Sequence, residues 1–137
     1  MPSYSARDFF SDSQQMATLT AAAANVSTNI IDRRRQGDDV FRQTTVYAKL
    51  DSTIAPSAGG QITAELQHSD DETPANFTTL IVGLPVKSAG EFSIQHALPP
   101  HCKRYMRMRY IVGGTALTAP APVITAGIRV GIAETSL

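Results

Sequence analysis

Two histidines and a cysteine lie close together late in the chain and raise the question of a metal site. His96, His101 and Cys102 fall within seven residues. A tetrahedral zinc site needs three or four convergent ligands at characteristic spacings, and this group supplies at most three, with no second cluster. The remaining histidine, His68, ends a different predicted strand. We therefore interpret these residues as strand or turn histidines with a buried free thiol, and we expect no metal and no other cofactor.

The sequence also lacks a persuasive nucleophile or acid pair. His101 and Cys102 are adjacent, but adjacent side chains of an extended chain point to opposite faces. There is no GxSxG elbow and no GxxxxGK[ST] loop. The acids of SDDE, residues 69–72, stand just before Pro74, which is typical of a solvated loop rather than of two carboxylates that flank a sugar. We expect no enzyme activity and no small-molecule substrate.

The basic residues form two groups. Residues 33–35 are three consecutive arginines, and Arg107 and Arg109 share a predicted strand face with Tyr105. Phosphate binding gathers several cations on one face, often beside aromatic platforms. Here twelve basic and twelve acidic residues cancel, so no long-range field attracts nucleic acid. Because arginine and tyrosine are enriched where proteins meet, we predict a protein interface rather than a nucleic-acid site.

Length and composition bound the class of protein. A chain of 137 residues fits one domain and buries roughly two-thirds of its unfolded surface. The lone Cys102 cannot form an internal disulfide, and the N-terminal residues lack the order of a secretion signal. No apolar run approaches the roughly 20 residues that span a bilayer. We expect a soluble protein of a reducing compartment, with no membrane partner.

From residue 44 onward the dominant period is two, which is typical of strands with one buried face. The predicted inward residues are Val46, Ala48, Leu50, Ile62, Ala64, Leu66, Phe92, Ile94, His96, Leu98, Met106, Met108, Tyr110, Val112, Ile124, Ala126, Ile128, Val130 and Ile132. We interpret residues 44–51 and 61–68 as a hairpin, and residues 77–84 as a more buried strand. About eight strands separated by Gly and Pro turns predict an all-β sandwich or barrel.

The first 26 residues do not follow this pattern. Residues 12–32, DSQQMATLTAAAANVSTNIID, contain no Gly or Pro and four consecutive alanines. As a helix, this stretch has a thin apolar stripe, and isolated helices of such length are marginal in water. As an extended arm, its small side chains allow a close approach to another surface, with Phe9 and Phe10 as anchors. We favour an arm at residues 1–26, whether extended or partly helical, ahead of a β-sandwich domain at residues 27–137.

The order of several motifs resembles that of the capsid cement, or decoration, proteins of tailed bacteriophages. These motifs are MATLTAAAANVSTNIID, SDDETPANFTTL and LPPHCKRYMRMRYIVGGTALTAPAPVITAGI. In particular, they resemble the small family typified by the cement protein of a Bordetella phage, and the resemblance spans residues 12–132. The chain departs from the family pattern at IIDRRRQGDD, where relatives continue from ID with a Leu-Gly turn. If this loop faces the shell, its arginines pair with acidic groups there.

The resemblance implies a jelly-roll-like sandwich that forms a homotrimer on the outer surface of an icosahedral head. Its partner is then the major capsid protein, its role is structural, and its place is the virion after synthesis in the host bacterial cytoplasm. A carbohydrate- or host-surface-binding sandwich is the alternative, although the chain has no Trp and only four Tyr for sugar platforms. The candidate residues for contacts with capsid or neighbouring subunits are Phe9, Phe10, Met16, Leu19, Arg33, Arg34, Arg35, Tyr105, Arg107 and Arg109.

Overall fold

The computed structural model consists of two antiparallel sheets and describes residues 9–16, 20, 22–32, 44–54, 60–117 and 121–130. Its strands are β1 (Phe9–Gln15), β2 (Ala24–Val26), β3 (Ile31–Asp32), β4 (Thr44–Leu50), β5 (Gln61–Ser69), β6 (Thr78–Val86), β7 (Phe92–Ala97), β8 (Tyr105–Gly113) and β9 (Val123–Val130). A short 3₁₀ helix, Pro74–Asn76, precedes β6. The prediction of an all-β sandwich is confirmed.

The strand order is that of a jelly roll. One sheet has the order β1-β9-β4-β7 and the other β2-β8-β5-β6, with β3 also paired to β8. The strand pairs are therefore nested, as in one long hairpin that is folded over itself. From the outermost pair inward, they are β1 with β9, β2 with β8, β4 with β7 and β5 with β6. Because β2 and β3 pair with opposite ends of β8, they act together as one interrupted edge strand.

The core lies between the inner faces of the two sheets and follows the predicted alternation. β8 alternates strictly between partly exposed and buried residues along its whole length. The predicted inward residues found buried on β4, β5, β8 and β9 are Val46, Ala48, Leu50, Ile62, Ala64, Leu66, Met106, Met108, Tyr110, Val112, Ile124, Ala126 and Ile128. The side chain of Val130 and all of Ile132 lie outside the described part of the chain. A period of two thus located the core in these four strands.

The predicted hairpin of residues 44–51 and 61–68 is wrong. β4 pairs with β7 and β9, whereas β5 pairs with β6 and β8. The connection between β4 and β5 therefore passes from one sheet to the other. Alternation fixes which face of a strand is buried, but it does not specify the partner strand.

The prediction that residues 77–84 form a more buried strand is also wrong. β6 is an edge strand, and Val82 and Leu84 expose 64% and 69% of their surface. The strand nevertheless lies tightly against the opposite sheet, because a Cβ on Gly83 would come within 2.5 Å of the Ser93 carbonyl oxygen. The apolar run therefore reflects an edge with one uncovered face rather than a central strand.

Two residues of β7 also differ from the prediction of one inward face. His96 pairs in register with the buried Val46 but is itself exposed. Phe92 is only partly buried, whereas Ile94 and Leu98 are buried as predicted. β7 is an edge strand of its sheet and shifts register against β4 between Ile94 and Phe92. At the edge of a sheet and next to a bulge, the alternation of apolar and polar residues therefore does not predict which side chains are buried.

Strand β1 occupies part of the segment that we predicted to be an arm. Phe10 is fully buried and Met16 is 3% exposed, and both belong to the core of their own chain. The prediction that these two residues find shelter on other subunits is therefore wrong. The topology gives the reason: in a jelly roll the first strand pairs with the last, so β1 covers one edge of β9.

Candidate interface on the outer face of the five-stranded sheet

The strict alternation of β8 places three predicted site residues on one surface. Tyr105, Arg107 and Arg109 are partly exposed on the outer face, while the methionines between them are buried. β5 supplies the next row of this face, since Gln67 pairs with Arg107 and Glu65 with Arg109. The structure therefore brings Tyr105, Arg107 and Arg109 together with polar partners of the neighbouring strand.

Arg107 is held by three contacts, two of which attach the segment that leads into β6 to this face. Its Nε donates to Gln67 Oε1 at 2.8 Å, and its guanidinium lies 4.4 Å from the centre of the Phe77 ring. Nη2 also approaches the carbonyl oxygen of Pro74 at 3.4 Å. Desolvation, together with the nearby positive charge of Arg109, lowers the pKa of Arg107 from its ordinary value. Two cations side by side favour an anionic partner at this place.

Arg109 is held more loosely than Arg107. Its Nη1 lies 3.5 Å from Glu65 Oε1, and the same oxygen accepts the hydroxyl of Thr79 at 3.1 Å. The side chain of Arg109 is 39% exposed. The side chain of Glu65 is only 14% exposed, so the pair is partly buried. The exposed part of the Arg109 guanidinium is therefore open to an acidic partner from outside while Glu65 keeps its contact.

Arg104 differs from both because it forms a bidentate ion pair. Its Nε and Nη2 donate to the two carboxylate oxygens of Asp32, each at 2.9 Å. The hydrogen bonds from Arg104 to Asp32 raise the pKa of the guanidinium. The central carbon of the guanidinium, Cζ, lies 4.7 Å from the centre of the Tyr105 ring. This pair ties β3 to the start of β8. We assign Arg104 a structural role at the end of the face.

Exposed apolar side chains lie at both edges of the same sheet. Val82 on β6 pairs with Glu65, and Val26 on β2 pairs with Arg109. One row across the sheet therefore reads Val26, Arg109, Glu65 and Val82, with an apolar residue at each end. We name these four residues, with Tyr105 and Arg107, the outer-face patch. Leu84 is also exposed on β6, but it lies at the register shift between β5 and β6, opposite the buried Ala64, and is not part of this row.

The sequence analysis missed the apolar members of the outer-face patch. Val82 fell in the run that we predicted to be buried, and Val26 fell at the end of the predicted arm. The available signal was that residues 77–86 carry no charge and contain Gly83 and Pro85, a combination that is also found in edge strands.

The other predicted site residues are not part of this patch. Phe10 and Met16 lie in the core, and Phe9 is partly buried, with its carbonyl oxygen accepting the side-chain amide of Asn29 at 2.9 Å. The Phe10 carbonyl oxygen accepts the N–H of Asn29 and the hydroxyl of Thr28, so three hydrogen bonds in all join β1 to the segment between β2 and β3. The predicted residues outside the described ranges are Leu19, Arg33, Arg34 and Arg35.

The residues that raised the question of a metal site are dispersed. His96 is exposed on β7, and Cys102 is buried with its thiol 3.5 Å from the Lys103 carbonyl oxygen. Across the described ranges, no three His, Cys, Asp or Glu side chains gather in a way that could hold a metal ion. Within those same residues there is also no helix with the length and apolar character needed to cross a bilayer.

The fold and the patch together define a jelly-roll β-sandwich with a mixed charged and apolar face on its five-stranded sheet. The chain matches the Bbp16 family, a Bordetella phage protein family, over residues 10–128, and it belongs to that family. The match begins inside β1 and ends inside β9, so it covers the sandwich from its first strand to its last. No curated protein matches the chain.

Proposed function

We propose that this protein is a structural capsid cement protein. In this proposal it binds the outer surface of an icosahedral phage head as a homotrimer, where it bridges subunits of the major capsid protein and strengthens the shell against the pressure of the packaged DNA. It catalyses no reaction and needs no cofactor. Its place is the virion, after synthesis in the cytoplasm of the host bacterium.

The observation that carries the proposal is the outer-face patch on a member of a phage protein family. Aromatic and arginine side chains anchor many protein interfaces, and apolar residues beside them add buried area. The patch offers Arg109 and Arg107 for acidic groups, and Val82 and Val26 for apolar contacts. A capsid surface with carboxylates next to a shallow apolar site has the complementary chemistry.

Trimer formation strengthens such contacts without any single strong one. Once one protomer is bound, the other two bind at a high effective concentration, and avidity exceeds single-site affinity by roughly 10² to 10⁴. Each trimer then holds several capsid subunits at once. The separation of neighbouring subunits requires the loss of more than one contact, and this raises the internal pressure that the head withstands.

Co-sedimentation with phage heads that lack this protein tests the proposal. We expect the purified protein to sediment with heads, and we expect Val82→Asp and Arg109→Glu to weaken binding at least tenfold, because they reverse the apolar and the cationic chemistry of the patch. Lys49→Glu and Gln95→Asp are the matched controls, since both lie on the other sheet. Equal binding by all four variants would disprove a role for the patch, and no binding by the native protein would disprove the cement function.

The oligomeric state needs its own measurement. Light scattering on the soluble protein is expected to give the mass of three chains of 14.7 kDa each. If the protein is a monomer in solution and a trimer on heads, the trimer forms during docking. A stable dimer, both free and on heads, would contradict the trimer.

A carbohydrate- or host-surface-binding module is the second candidate function. Sugar platforms usually present open aromatic rings, but Tyr47 and Tyr110 are buried and the guanidinium of Arg104 covers the Tyr105 ring. These observations favour the protein interface. A glycan array with the purified protein distinguishes the two candidates, since specific glycan binding without head binding would select the alternative.

A further inference from the structure

A buried histidine joins the end of β5 to the segment that leads into β8. His68 follows the inward residues of β5, is only 8% exposed and accepts the backbone N–H of Lys103 at Nδ1, at 3.1 Å. A nitrogen that accepts a hydrogen bond carries no proton, so the ring is neutral and its proton is on Nε2. This hydrogen bond attaches residues 99–104 to the end of the sheet.

The groups around His68 disfavour a second proton on its ring. The His101 ring centre lies 6.5 Å away, and Lys103 belongs to the same segment, with its Nζ 3.7 Å from Asp70. Burial is the largest cause that lowers the pKa of His68, followed by the charges of Lys103 and His101, while Asp70 raises it. The residues that pair with His68 on β8 and β6, Met106 and Thr78, carry no charge.

We propose that His68 is an acid-sensitive clasp that releases residues 99–104 when its Nδ1 takes up a proton from solvent. A protonated Nδ1 is a donor, and it would face the N–H of Lys103, which is also a donor. The hydrogen bond is then lost, and the positively polarised hydrogens of the two N–H groups repel each other. The released segment carries Cys102, and it ends at Arg104, whose ion pair with Asp32 adjoins Tyr105 of the outer-face patch.

The pH range of the clasp follows from the sign of linkage. The folded-state pKa of His68 lies below the ordinary value of 6.5. Between these two values the unfolded or released state binds more protons than the clasped state, so stability falls as the pH falls. The contribution of the clasp is therefore complete above about pH 6.5 and is lost as the pH falls through the folded-state pKa.

Nuclear magnetic resonance of the full chain tests the clasp. We expect ¹⁵N shifts that place the proton of His68 on Nε2 at neutral pH, and a protection factor of the Lys103 amide that decreases by up to about tenfold per pH unit in the acid range, because one proton is taken up on release. His68→Asn keeps an acceptor near the position of Nδ1 but does not titrate, so its Lys103 protection should not depend on pH. His101→Asn should keep an acid-dependent loss of Lys103 protection, shifted toward higher pH because the charge of His101 no longer lowers the pKa of His68.

Two results would overturn the clasp. One is the same acid-dependent loss of Lys103 protection in His68→Asn, which would assign the effect to another group. The other is a proton on Nδ1 of His68 at neutral pH in the native protein, which is incompatible with the hydrogen bond from Lys103. The second measurement needs no variant, so the proposal remains testable even if His68→Asn does not fold.

Discussion

Ser11 and Tyr110 form a hydrogen bond across the core, with 2.7 Å between Ser11 Oγ and Tyr110 Oη. Ser11 lies on β1 and Tyr110 on β8, so the bond joins the two sheets. The Ser11 hydroxyl also donates to Gln14 Oε1 at 2.6 Å, and because it has one proton, Tyr110 is the donor of the buried bond. Gln14 continues the chain of bonds by donating to the Val26 carbonyl oxygen.

Removal of the Tyr110 hydroxyl is expected to destabilise the sandwich. In Tyr110→Phe, Ser11 loses its buried donor, and an under-satisfied buried group costs about 1–3 kcal/mol. Urea unfolding measures this loss. Tyr105→Phe on the outer face is the control and should remain within about 0.5 kcal/mol of the native protein. Equal unfolding midpoints for all three proteins would show that the bond between the sheets contributes nothing to stability.

The same tyrosine predicts a loss of stability at alkaline pH. Burial raises the pKa of Tyr110 far above its ordinary value of 10.0. Above that value the unfolded chain loses the phenolic proton while the folded protein keeps it, so stability falls as the pH rises. The slope reaches about 1.4 kcal/mol per pH unit. In urea unfolding, the difference in stability between the native protein and Tyr110→Phe should be smaller at about pH 11 than at about pH 8. The same difference at both pH values would contradict this account.

Ser93 supports the edge strand β6 through its side chain. Its Oγ accepts the N–H of Ala64 at 2.8 Å and donates to the carbonyl oxygen of Leu84 at 2.6 Å. β5 and β6 shift register next to Ala64, so the serine supplies hydrogen bonds that the irregular ladder does not. This arrangement also explains why residue 83 is a glycine, since a Cβ there would meet the Ser93 hydroxyl at 2.5 Å.

We therefore expect Ser93→Ala to destabilise the protein by about 1–3 kcal/mol, because it leaves two backbone groups without a partner. Thr78→Ala, at an exposed position on β6, is the control and should cost less than about 0.5 kcal/mol. Thermal unfolding measures both variants, and hydrogen exchange should show faster exchange of the Ala64 amide in Ser93→Ala. An unprotected Ala64 amide in the native protein would contradict the assigned role.

The sequence predicted the sandwich and most of its core because alternation is strict where a central strand separates core from solvent. β8 is the clearest case: it is paired on both sides, and its methionines and arginines occupy opposite faces. The same regularity predicted the shared face of Arg107 and Arg109. Hydrophobic alternation therefore predicted burial mainly in the central strands.

The edge strands could not be predicted in the same way. β6 is apolar on a face that no second layer covers, so Val82 and Leu84 were assigned to the interior. β1 was missed because its alternation is interrupted: the register against β9 shifts on both sides of Ser11, and Ser13 has a φ of 56°. Hydrophobic periodicity does not record bulges, nor does it reveal which strand lies at an edge.

Phe10 provides the sharpest test of the corrected N-terminal segment. It is fully buried on β1, and truncation of a buried phenylalanine costs about 3–5 kcal/mol. Phe10→Ala should therefore lower the urea midpoint of the isolated protein strongly, whereas Phe9→Ala, at a partly buried position, should lower it less. If residues 9–16 were instead an arm that binds other subunits, Phe10→Ala would leave the stability of the free protein unchanged and weaken only its attachment to heads. Unfolding of the two variants without heads, followed by co-sedimentation of those that fold, separates the two cases.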